Sequence, residues 1–134
     1  MEIKVANKTI KATDNVQAAA TSQAVYIFAM PPNSYVLSMF ARVKTAFTGV
    51  TGPSVEVGLT GQTTRYIPKQ EINAVKDLIS GWGVNGMGYC QKQAPDQQIG
   101  TTAQRNIIAT FRSTSGNLSS LSAGEIEFVV IYAE

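Results

Sequence analysis

The chain has 134 residues, a formal net charge of +2, 15% charged residues, no histidine and one cysteine. An average globular chain carries roughly 25% charged residues; here 39 Ser, Thr, Asn and Gln fill the gap. The missing histidine removes the commonest general base and most zinc chemistry, and a lone Cys90 excludes a disulfide within the chain.

The length suits one domain, taken here as residues 1–134. Its cations are spread along the chain, the densest stretch being Lys4, Lys8 and Lys11. Sustained phosphate binding gathers Lys and Arg on one face, so nucleic acid is not expected as a partner. No stretch approaches the roughly 20 apolar residues of a membrane helix. No basic segment precedes an apolar one at the N-terminus, so the chain is expected to be made in a cytosol without a signal peptide.

Taken in chain order, Met1 to Ala20 alternates weakly at Ile3, Val5, Ile10 and Ala12. It reads as an edge strand of the domain's own sheet or as an arm that pairs with a neighbour. Ala24 to Ala29 is a continuous apolar run, expected to be a central strand covered on both faces. Pro31-Pro32-Asn33-Ser34 turns the chain into a long strand. In that strand Leu37, Met39, Ala41, Val43, Thr45 and Phe47 share the inward parity, and Ser38, Phe40, Arg42, Lys44 and Ala46 the outward one. Ser54 to Leu59 alternates with Val55, Val57 and Leu59 inward. Thr64 to Ile67 reads as a short strand ended by Pro68. Ile72, Val75, Leu78 and Ile79 fit one helical face, so Lys69 to Ser80 could form a short helix capped by Gly81. That helix is weighed evenly against its absence.

Gly81 to Gly88 is turn or hairpin chemistry, and Gln91 to Thr102 is a polar loop. Strand character resumes at Arg105 to Arg112, with Ile107, Ala109 and Phe111 on one face. A Ser- and Gly-rich loop from Ser113 to Ala123 follows. In the last strand Ile126, Phe128, Val130 and Tyr132 face one way and Glu125, Glu127, Val129 and Ile131 the other. The far half of that strand is apolar on both sides and should be covered. Many short strands and little helix predict an all-β chain, a single antiparallel β-sandwich of jelly-roll type with at most one short helix.

Little in the chain points to catalysis. Glu125 and Glu127 would stand about 7 Å apart on one strand face, a spacing compatible with glycoside hydrolysis. The reading preferred by far is a solvated strand face. Cys90 lacks a histidine partner and reads as a structural thiol. The glycines around Trp82 lack the Lys and the strand-to-helix setting of a phosphate loop. Neither a catalytic residue, a metal ligand nor a cofactor is therefore assigned. Trp82 reads as packing back over the sandwich or, with less weight, as an exposed anchor. Phe40 on an outward face and Trp82 are the two interface candidates.

Several stretches together are similar to those of small β-sandwich structural proteins of tailed bacteriophage virions. These are Met30-Pro31-Pro32-Asn33-Ser34-Tyr35-Val36-Leu37, Arg42-Val43-Lys44-Thr45-Ala46-Phe47-Thr48-Gly49, Ser54-Val55-Glu56-Val57-Gly58 and Ser122 to Val130. The resemblance spans Ala24 to Glu134 and leaves Lys69 to Thr102 unmatched. It implies a non-enzymatic virion protein of the capsid decoration (cement) type, a homotrimer bound to the major capsid protein or another virion protein. It carries over no binding residues. Two other readings stay open: a carbohydrate-binding module using Trp82, Tyr89 and Tyr66 as stacking faces, and a tail or fibre accessory protein.

Overall fold

The computed structural model describes residues 2–80 and 105–134, with the backbone of Gln98–Ile99. Among these, nine strands, a four-residue helix and one 3-10 turn follow in order. They are β1 (Ile3–Lys11), α1 (Ala12–Asn15), β2 (Ser22–Met30), β3 (Ser34–Thr48), β4 (Ser54–Leu59), β5 (Gln62–Glu71), β6 (Lys76–Ser80), β7 (Gln98–Ile99), β8 (Arg105–Arg112), the 3-10 turn Leu118–Ser120 and β9 (Ala123–Ala133). The strands form two antiparallel sheets packed as a β-sandwich. The first has the order β1-β9-β3-β6, with β7 pairing the start of β3; the second has the order β2-β8-β4-β5.

The core lies between the sheets, where alternation placed it. Met39, Val43, Val57, Ile107, Phe111 and Phe128 are all buried. Phe111 of the second sheet stacks on Phe47 at 5.8 Å and meets Phe128 edge-on at 6.4 Å, so three rings tie the layers together. Gly124, with φ +149°, lets β9 begin against this cluster: a Cβ there would stand 2.6 Å from the Phe47 ring. The entry to β3 is built as the prolines suggest. Asn33 adopts φ 60°, and the Ser34 hydroxyl donates to the Pro31 carbonyl at 2.7 Å.

Five local expectations are corrected. The run Ala24 to Ala29 lies in an edge strand: among the described strands β2 pairs only with β8, and Tyr26 is 70% exposed. Leu37 is 40% exposed because the β3–β9 register shifts between Val36 and Ser38. The extra residue there reverses the parity, so Val36 and then Met39 point inward. Thr45 is likewise exposed beside a second register shift. Pro68 does not end β5. The strand runs on to Glu71, with Pro68 in the register shift between the Ile67 and Gln70 pairings, where no ladder hydrogen bond from its nitrogen is required. Lys69 to Ser80 forms no helix. Ile72, just past the end of β5, and Ile79 in β6 are both buried, while Val75 and Leu78 are more than 60% exposed. The one α-helix among the described residues is α1, which buries Ala12.

Candidate interaction surface

The outer face of the first sheet divides along its length. At one end β9 presents Glu125 and Glu127, which β3 neutralises. Arg42 Nε lies 3.2 Å from Glu127, and Lys44 Nζ lies 3.8 Å from Glu127 and 3.9 Å from Glu125. The register sets this up, since Arg42 pairs directly opposite Glu127. The two carboxylates are thus half-buried members of a cross-strand ion-pair ladder, which supports the strand-face reading over a catalytic pair.

At the other end the same face is apolar. Phe40 pairs opposite Val129 in β9, and Val5 of β1 pairs opposite Ile131. Ile3 and Val5 are 64% and 66% exposed, and Tyr35 and Leu37 about 40%. Phe40, Val129 and Ile131 are half-buried. Single exposed apolar residues are ordinary, whereas a cluster across three adjacent strands marks a contact surface. Phe40, singled out from the sequence as an outward residue, stands in this cluster. The sequence did not single out Ile3 and Val5, because their place beside Ile131 depends on β1 pairing with β9. Trp82, Tyr89 and Cys90 lie outside the described residues, as do the Gly81 to Gly88 turn and nearly all of Gln91 to Thr102.

Residues 2 and 134 are paired at the end of the β1–β9 ladder. Glu2 and Glu134 exchange two backbone hydrogen bonds of 2.9 Å, and Lys4 Nζ donates to Glu134 Oε1 at 2.5 Å. That hydrogen bond, and then the carboxylate charge, raise the Lys4 pKa above its ordinary 10.5.

The outer face of the second sheet is a different surface. Ser54 and Glu56 are buried although they point away from the core residues of β4. Glu56 accepts from Arg112 Nε at 3.0 Å and from the Thr63 hydroxyl at 2.5 Å. Thr63 reaches it because β5 bulges strongly where Gly58 leaves room: a Cβ at Gly58 would stand 2.1 Å from the Gln62 carbonyl oxygen. Tyr66, one of the three stacking candidates, is 1% exposed inside the core and offers no face to a sugar. No group of three or more Cys, Asp or Glu among the described residues is placed to hold a metal ion, and no helix among them is long and apolar enough to cross a membrane.

No family model and no curated protein matches the chain. Solved structures do share its fold. A chain of the cyanophage Pam1 capsid asymmetric unit superposes with a TM-score of 0.51 at 15% identity, covering 97% of this chain and 83% of that one. A chain of the acid-stable capsid of Helicobacter pylori bacteriophage KHP30 gives the same TM-score and identity, covering 97% of this chain and 86% of that one. At this identity the likeness is one of fold. Both matched chains are little longer than this protein.

Proposed function

We propose that the protein is a non-enzymatic structural component of a bacteriophage virion, of the capsid decoration (cement) type. The observation that carries this reading is the likeness, over nearly the whole chain, to two phage capsid chains of comparable length. The nested orders β1-β9-β3-β6 and β2-β8-β4-β5 support reading the sandwich as a jelly roll, with all 134 residues acting as one unit. In this reading the chain is made in the host cytoplasm and ends in the virion. There it binds the major capsid protein or another shell component and associates with copies of itself, as a trimer.

The apolar half-face around Phe40 supports assembly as the mode of action. It sits on a weakly charged protein and brings together Ile3, Val5, Leu37, Phe40 and Ile131 from three strands. Trp82 is retained as a second contact. The test has two arms. Purified protein is sedimented alone, then mixed with capsids stripped of accessory proteins. An oligomer that binds stoichiometrically to bare capsids supports the reading. A monomer that ignores capsids overturns it.

A further inference from the structure

An open groove of about 490 Å³ lies at one end of the second sheet. It runs between Tyr26 of β2, the Leu59–Gln62 turn joining β4 to β5, and Arg105 and Asn106 at the start of β8. Small-ligand sites fall roughly between 300 and 1,000 Å³.

Four features define its chemistry. Tyr26 is 70% exposed, more than any other large apolar side chain among the described residues, and offers an open aromatic face. Gln62 is held in place by Arg65, which is 6% exposed and donates to Gln62 Oε1. A guanidinium can only donate, so Arg65 fixes the amide's orientation and leaves its NH₂ group as a donor. Arg105 adds a further planar set of donors, and no carboxylate among the described residues lines the groove. At Gly61, with φ +83°, nothing lies within 4 Å of where a Cβ would sit, so a ligand can approach the turn closely.

We propose that this groove binds an acidic sugar, a pyranose that carries a carboxylate. The apolar face of the ring stacks on Tyr26, the carboxylate pairs with Arg105, and the hydroxyls take hydrogen bonds from Gln62 and Asn106. An aromatic platform beside planar amides suits a ring that is apolar on one face and hydroxyl-rich at its rim. The excess of donors over acceptors selects the anionic member of that class. An acidic peptide would also satisfy Arg105, but it has no use for the exposed Tyr26 face.

The experiment is calorimetric titration of the whole chain with galacturonic acid oligomers and a sialylated oligosaccharide. Neutral counterparts of both and a poly-glutamate peptide serve as controls. The proposal expects the acidic saccharides to bind best. Tyr26→Ala and Arg105→Gln should each weaken that binding by roughly tenfold or more, about 1.4 kcal/mol. Tyr26→Phe should retain it, since the ring is what stacks, and Phe40→Lys should leave it unchanged. Both groove positions are exposed, and unchanged melting of the variants verifies the fold. Three results would overturn the proposal: no saccharide binding at millimolar concentration, equal binding of neutral and acidic saccharides, or poly-glutamate binding as tight as any sugar and indifferent to Tyr26→Ala.

Discussion

Glu56 and Arg112 meet at 3.0 Å across the outer face of the second sheet, the Glu56 side chain 7% exposed and Arg112 44% exposed. The carboxylate is therefore withdrawn from water while its cation stays half in it. Hydrogen bonds to charged groups contribute roughly 1.5–3 kcal/mol, and a partner left buried without one loses that and its hydration. Arg112→Ala should destabilise the fold by about 1.5–3 kcal/mol, read as a lower urea midpoint at unchanged slope. Arg112→Lys should recover only part, since an ammonium lacks the guanidinium geometry. A midpoint unmoved by Arg112→Ala would mean that Thr63 and water suffice for Glu56.

Phe128 lies fully buried against the edge of Phe111, which in turn stacks on Phe47. Phe128→Ala removes the β9 member of this three-ring bridge between the sheets. The expected loss is about 3–5 kcal/mol, a large share of the roughly 5–15 kcal/mol total of a typical domain. Thermal melting within a degree or two of wild type would show that the core closes over the cavity without penalty.

The proposed self-association through the apolar half-face makes a prediction about salt. Exposed ion pairs weaken as salt screens them, whereas apolar burial does not. The oligomer should persist between about 0.1 M and about 1 M salt. Phe40→Lys and Val5→Lys should each shift it towards monomer, because Phe40 and Val5 flank Val129 and Ile131 on one face. Sedimentation velocity reads both effects. An oligomer that dissolves in salt, or that survives both substitutions, places the contact elsewhere.

The clasp between the chain ends should respond to alkali. The Lys4 pKa is raised, chiefly by its hydrogen bond to Glu134 and then by the carboxylate charge. A group whose folded pKa is raised contributes fully below its unfolded value and loses that contribution as pH rises through the folded one. Amide exchange at the Glu2–Glu134 pairing should thus accelerate as pH rises above the ordinary lysine value of 10.5, beyond the general base-catalysed trend. Lys4→Met should remove the excess. Identical profiles for wild type and Lys4→Met would show that the backbone pairing alone holds the ends.

Period-2 alternation is a local property, and it fixed the inward faces of β4, β8, β9 and most of β3 from residues such as Val57, Ile107, Phe128 and Val43. It failed wherever one extra residue entered a strand. A bulge at Leu37 reverses the parity of what precedes it, and the shift around Pro68 lets a strand pass through a proline; neither is visible until the partner strand is known. The same holds for edges. The apolar run Ala24 to Ala29 reads as a central strand, yet the sheet ends at β2 and leaves Tyr26 in the open.

Composition and periodicity by themselves determined an all-β sandwich of low charge and the inward faces of β4, β8, β9 and most of β3. Tertiary structure alone decided that Glu56 is buried, that Ile3 and Val5 join Phe40 on one face, and that Tyr26, Gln62 and Arg105 share a groove. The reason is the distance over which each is set. Alternation is enforced between residues two apart, where the pleat leaves no choice. A strand's neighbours are chosen by hydrogen bonding between residues more than a hundred positions apart, as in Lys4 opposite Tyr132, and no local pattern encodes that choice.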